Sequence, residues 1–210
     1  MERRIVVGEV RACATGKPMR VSGLAARYNY PAKIGKRFME KLAPGAFRHA
    51  VRSKQDVAFL INHDMNRLMG RVSAGTLRLR ETDEGLEFDA DLPDTEDGRN
   101  AYESIRRGDM HQCSFGFDND VDQQWEMGED PDDRAKKIPH RTIRNIRTLN
   151  DVSAVTFPSY AATHVQARSA QEIETRSDVV IPTEFVVEEP ETDTVEAIAR
   201  RRQLLGISLL

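Results

Sequence analysis

The sequence predicts a β-rich chain of the all-β or α+β class, a barrel of many short strands with one or two helices around it. Three observations lead there. Apolar residues come in short runs bounded by turn-forming residues, and before residue 169 helix-like periodicity is confined to two stretches. A hydrophobic content of 39% in 210 residues suits one packed core and not two.

The elements follow in chain order. Residues 4–12 and 19–28 are rich in Val and other apolar side chains and are separated by Thr15-Gly16-Lys17-Pro18, so they read as two paired strands about a turn. Residues 41–47 break that pattern. After Pro44 a short helix is expected, carrying Phe47, Ala50 and Val51 on one side. Residues 56–62 hold Val57, Ala58, Phe59, Leu60 and Ile61 in succession, the mark of a short strand covered on both faces, with His63 at its end. Leu77 and Leu79 then alternate with Arg78 and Arg80, and Asp83-Glu84-Gly85 turns the chain into Leu86, Phe88, Ala90 and Leu92: a hairpin with one buried face.

Between Asp94 and Gly108 the spacing of Ala101, Tyr102 and Ile105 predicts a helix of about three turns, with Thr95 as its cap, acids in its first turn and Arg106-Arg107-Gly108 at its end. Strands are expected again at 112–117, 142–147 and 149–157, interrupted by an exposed acidic loop at 126–133. From Ser169 the composition shifts to Glu, Thr, Asp and Pro. The folded domain is therefore placed at 1–168 and a flexible tail at 169–210, with 194–205 able to form a small amphipathic helix.

Charge and cysteine usage narrow the function classes. Thirty-one Lys and Arg oppose 34 Asp and Glu, a net charge of -3, which points to neither nucleic acid nor an anionic membrane surface. No apolar run approaches the roughly 18 residues of a membrane span, and Met1-Glu2-Arg3-Arg4 leads into a strand pattern, so the chain is expected to stay in the cytosol where it is made. Cys13 and Cys113 are far apart, without metal-site or disulfide-framework spacing. His49, His111, His140 and His164 show no ligand spacing either, and no metal or cofactor is expected.

Three polar residues sit in apolar strands: His63 after Phe59-Leu60-Ile61, Ser114 before Phe115-Gly116-Phe117, and Asp151 before Val152-Ser153-Ala154-Val155. Burying such groups is costly unless they pair. Strand alternation puts Cys113, Phe115 and Phe117 on one face, expected core, and Ser114 with Gly116 on the other, where the bare glycine leaves room for an extended substrate. It likewise separates Val152 and Ala154 from Asp151 and Ser153. A serine hydroxyl needs an imidazole to take its proton and a carboxylate to orient that imidazole, and these residues supply one of each. Other roles suit the same residues: Asn62-His63-Asp64 as a polar turn with its imidazole on the neighbouring carboxylate, Ser114 as a small packed residue, Asp151 as a turn cap or a partner of Arg144 or Arg147. A Cys113 hydrolase is a further reading.

The ordered set Pro44-Gly45-Ala46-Phe47, Asn62-His63-Asp64 with Leu68-Met69-Gly70, Gly85-Leu86-Glu87-Phe88 with Leu92-Pro93, Ser114-Phe115-Gly116-Phe117, and Asp151-Val152-Ser153-Ala154-Val155-Thr156 with Pro158 resembles the prohead (capsid-maturation) serine proteases of tailed phages. The resemblance spans roughly Val21 to Arg168. It implies a fold similar to the herpesvirus capsid-maturation protease, a β-barrel surrounded by helices. It also implies a serine endopeptidase in which Ser114 is nucleophile, His63 its base and Asp151 the orienting acid, at a position where the family pattern resembles Glu. The herpesvirus likeness makes His140 or His164 a fallback orienter. The implied substrates and partners are the scaffold protein or the scaffolding extension of the major capsid protein, then the protease itself, inside the immature prohead in the host cytoplasm. A homodimer is implied too, with an oxyanion hole of backbone N–H groups assisted by an arginine. The competing class is a non-catalytic capsid-assembly or scaffolding protein that keeps the barrel.

Overall fold

A computed structural model describes residues 2–12, 19–156 and 182–185. Twelve strands are named here in chain order: β1 (Glu2–Ala12), β2 (Arg20–Arg27), β3 (Ala32–Ile34), β4 (Phe38–Leu42), β5 (Ala58–Ile61), β6 (Asp64–Arg71), β7 (Leu77–Glu81), β8 (Gly85–Asp91), β9 (Gln112–Phe117), β10 (Val121–Asp130), β11 (Asp133–Ile146) and β12 (Leu149–Val155). Two α-helices, α1 (Arg48–Arg52) and α2 (Glu96–Arg107), complete the body, and a 3-10 turn covers Thr183–Phe185. The expected domain end at Arg168, the turn at 15–18 and the helix at 194–205 lie outside the described residues.

Eight strands form one sheet in the order β6-β5-β12-β9-β1-β2-β8-β7. β1 is its hinge. The first part of β1 pairs antiparallel with β9, the last part pairs with β2, and an irregularity between Val6 and Glu9 separates the two. The sheet curls until its ends approach: β6 and β7 are joined by the link 72–76, where Thr76 Oγ1 accepts from Arg71 N at 3.0 Å. Across the interior Phe59 of β5 stacks on Phe88 of β8 with centroids 5.1 Å apart. No ladder joins β6 to β7 among the described residues, so the observed architecture is a curled, β-rich sheet.

The core is aromatic. Tyr28, Phe47, Phe115 and Phe117 form a continuous chain of ring contacts, with Phe47 edge-on to Phe115 at 5.2 Å. Phe47 immediately precedes α1, which starts later than expected because residues 44–47 form turns first. The helix predicted at 94–108 is α2. Thr95 Oγ1 accepts from Gly98 N at 3.1 Å, Gly108 closes the helix at φ 82°, and Ala101 and Ile105 are buried.

The exposed loop expected at 126–133 is instead the end of a long hairpin. β10 and β11 pair from Val121↔Ile146 to Asp130↔Asp133, and the strand expected at 142–147 is the last part of β11. Most side chains of β10 face solvent on both sides, so the segment shows no apolar alternation and its backbone ladder alone defines it. With β4 and β3 the hairpin makes a second sheet of order β10-β11-β4-β3. That sheet holds a buried ion pair, Arg141 Nη1 to Glu40 Oε2 at 2.9 Å, and Arg141 Nε also donates to Gln123 at 2.6 Å.

Removing one partner of such a pair leaves the other charge buried. Glu40→Ala is expected to lower unfolding free energy by about 3 kcal/mol, read from the urea midpoint at unchanged slope.

Candidate active site

Three strands build the site, and β12 lies at their centre. β12 runs parallel to β5, with Asp151↔Ala58 and Ala154↔Ile61 in register, and antiparallel to β9, where Ser153 lies opposite Ser114. An irregularity between Leu149 and Asp151 decides which face each presents. Strict alternation would put Leu149, Asp151 and Ser153 on one face. The extra residue, Asn150, is pinned through Nδ2 to Asp118 Oδ1 at 2.8 Å, and Leu149 joins Val152 and Ala154 in the hydrophobic core while Asp151 shares a polar cluster with Ser153.

His63 reaches this face from a two-residue turn between β5 and β6, where Ile61 pairs with Asp64. Asn62 and His63 both adopt left-handed φ, 53° and 56°, as the favoured hairpin turns require and as few non-glycine residues do. Asn62 clamps the turn to the end of β12: Nδ2 donates to Thr156 Oγ1 at 3.1 Å, Oδ1 accepts from Thr156 N at 2.8 Å, and the Asn62 N–H bonds Ala154 O at 2.9 Å. Strained backbone of this kind persists only where the surroundings fix it.

The three residues expected from the sequence come together. His63 Nε2 lies 2.6 Å from Ser114 Oγ, and His63 Nδ1 lies 2.5 Å from Asp151 Oδ1 and 3.1 Å from Oδ2. An ionised carboxylate only accepts, so Nδ1–H donates to Asp151 and Nε2 is left to accept the Ser114 hydroxyl proton. That is the arrangement a serine nucleophile with a neutral imidazole base requires.

Two contributors escaped sequence reasoning. Ser153, opposite Ser114, donates to Asp151 Oδ1 at 3.1 Å and lies 3.3 Å from His63 Nδ1. Asn62 is the other, and its signal was an Asn before His at a strand end, a residue type that tolerates left-handed φ.

The alternative partnerships are not formed. Asp64 accepts from Asn66 N at 2.9 Å instead of bonding the imidazole. Arg144 bonds Gln124, and Arg147 pairs with Asp120 and Asp122. His140 sits in the small sheet, its Nε2 on Glu129 O at 3.0 Å, and His164 lies outside the described residues. Cys113 points into the core as expected, fully buried, and burial pushes its thiol well above its ordinary range.

One expectation is corrected. Ser114 is not open to solvent: its exposure is 0%, against 1% for Asp151 and 8% for His63. β9 is an interior strand flanked by β1 and β12, and the imidazole lies over the hydroxyl, so absence of a side chain at Gly116 does not by itself open the site. Among the described residues no cluster of His, Cys, Asp and Glu could hold a metal ion.

A family model described as Caudovirus prohead serine protease matches residues 8–177. No curated protein and no solved structure matches the chain.

Two outcomes follow from this geometry. Asn62→Ala removes two side-chain hydrogen bonds and places alanine at left-handed φ, so a loss of about 2 kcal/mol is expected by chemical denaturation, with Asn62→Gly recovering part of it because the backbone conformation is then free of strain. Iodoacetamide should alkylate Cys113 only in denaturant, as read by peptide mass mapping.

Proposed function

The chain belongs to the caudovirus prohead serine proteases, and from that premise we propose that Ser114, His63 and Asp151 are the triad of a serine endopeptidase that processes the phage scaffold during capsid maturation. The observation that carries the reading is the unbroken chain from Ser114 Oγ through both ring nitrogens of His63 to Asp151, with separations of 2.6 and 2.5 Å. Ser114 Oγ attacks a peptide carbonyl as its proton passes to His63 Nε2. The resulting imidazolium is stabilised by Asp151, and it returns the proton to the departing amine. Water then hydrolyses the acyl-enzyme by the same path in reverse. Backbone N–H groups, assisted by an arginine, form the oxyanion hole.

The third acid is one methylene shorter than the Glu of the resembled pattern. Its position supports the role. β12 carries Asp151 directly under the imidazole, and Ser153 occupies the remaining space between carboxylate and ring.

The substrates in this proposal are the scaffold protein or the scaffolding extension of the major capsid protein, followed by the protease itself, inside the immature prohead. The segment beyond residue 168, rich in Glu, Thr and Pro, has the composition of a cleavable extension. A barrel akin to that of the herpesvirus capsid-maturation protease is supported by the approach of β6 to β7 at the link 72–76 and by the Phe59–Phe88 contact between strands from opposite ends of the sheet. A homodimer belongs to the same likeness.

Ser114→Ala co-expressed with the capsid protein is expected to leave scaffold and protease uncleaved while retaining the wild-type unfolding midpoint, with products read by mass spectrometry. Cleavage persisting at the same sites contradicts the assignment. Asp151→Asn is expected to lower turnover by about 10³-fold or more, measured on a peptide spanning a mapped cleavage site.

A further inference from the structure

Arginines on this protein are, for the most part, matched by carboxylates. Arg20, Arg67, Arg71, Arg78, Arg99, Arg106 and Arg147 each lie within ion-pair distance of an Asp or Glu. One concavity gathers arginines that are matched weakly or not at all by a carboxylate. Between α1 and β11 a groove of ≈ 500 Å³ is lined by Arg48, His49, Arg52, Ser53, Arg144 and Asn145, with no acidic residue in its wall. Arg52 makes no side-chain hydrogen bond or ion pair among the described residues. Arg144 finds the amide oxygen of Gln124 in place of a carboxylate, and Arg48 reaches Glu81 only at 3.6 Å with its side chain 61% exposed. A space of this size holds several side chains and not merely one small anion.

The chain carries a segment of opposite charge. Residues 177–199 contain no Lys or Arg and seven carboxylates, five of them after Phe185: Glu188, Glu189, Glu191, Asp193 and Glu196. Phe185 itself is seated on the small sheet, stacked on Trp125 of β10 with centroids 6.4 Å apart. Trp125 pairs with Arg141 on β11, and β11 also supplies Arg144 and Asn145 to the groove. Arg144 is about 10 Å along the strand from Arg141, and the three residues from Phe185 to Glu188 extend about as far. Three residues are therefore enough chain to span from the Phe185 seat to Arg144.

We infer that this groove is a docking site for acidic peptide, and that its occupant is segment 186–196 of the same chain, held by Phe185 on one side and by Arg48, Arg52 and Arg144 on the other. The docking is electrostatic and peripheral to the triad, and it is independent of whether the triad is catalytic.

Hydrogen exchange on the full chain carrying Ser114→Ala, so that no self-cleavage removes the segment, tests this directly. At low salt the amides of 186–196 are expected to exchange roughly tenfold more slowly than in the same chain carrying Arg48→Glu and Arg52→Glu, an effect of the size several exposed ion pairs supply together. The same slowing should disappear when Glu188, Glu189 and Glu191 become Gln, with the unfolding midpoint measured alongside. It should return when those three become Lys in the Arg48→Glu, Arg52→Glu background. Equal exchange in parent and arginine variants overturns the inference, as does protection that survives the glutamine substitutions. Protection that rises with protein concentration assigns the groove to a second copy and overturns the same-chain assignment.

Discussion

The single extra residue at Asn150 governs the site. Without it, one face of β12 would present Leu149, Asp151 and Ser153 together, and either an apolar side chain would be turned outward or a carboxylate would be driven into the aromatic core. With it, Leu149 packs inward while Asp151 and Ser153 share the face that meets Ser114 and His63. The Asn150–Asp118 bond holds the irregularity in place, and Asn62 ties the His63 turn to the far end of the same strand. β12 is thus secured at both ends, and the imidazole is suspended between a hydroxyl and a carboxylate on two adjoining strands.

How much of this was readable from the sequence depends on where water lies. β7 and β8 alternate because one face is buried, and β9 alternates between core aromatics and small polar residues; both were evident before any coordinates. The capped helix α2 was evident for a similar reason, since Thr95 and Gly108 punctuate an amphipathic run. Most side chains of β10 and of the outer part of β11 are wet, and β6 exposes Met65 and Leu68, so side-chain pattern carried no signal and hairpin pairing was missed. Ser114, His63 and Asp151 were singled out as polar intrusions in apolar strands. Asn62 and Ser153 were not, since their roles come from turn geometry and cross-strand register. The accessibility of Ser114 was misjudged for a related reason: alternation tells which face a side chain takes, and says nothing of what lies over that face.

The small sheet follows a different logic from the main one. Beside a small apolar cluster of Ile34, Phe38 and Trp125 it buries a polar group, Arg141 between Glu40 and Gln123, with the guanidinium 5.9 Å from the Trp125 ring centre. Buried ionic groups of this kind define geometry more than they add stability. Beside them Trp125 meets Phe38 edge-on and stacks on Phe185 of the 3-10 turn.

The placement of β9 between β1 and β12 also has a temporal meaning. Its neighbours are the first and last strands among the described residues, and His63 is separated from Asp151 by 88 positions in the chain. No contact among Ser114, His63 and Asp151 is local, so closure of long loops must precede their meeting. A ribosome that has delivered Ser114 and His63 has not yet delivered the strand that orients them. Until β12 has been made, His63 has no Asp151 beside it, and the hydrogen-bonded chain from Ser114 to Asp151 cannot exist.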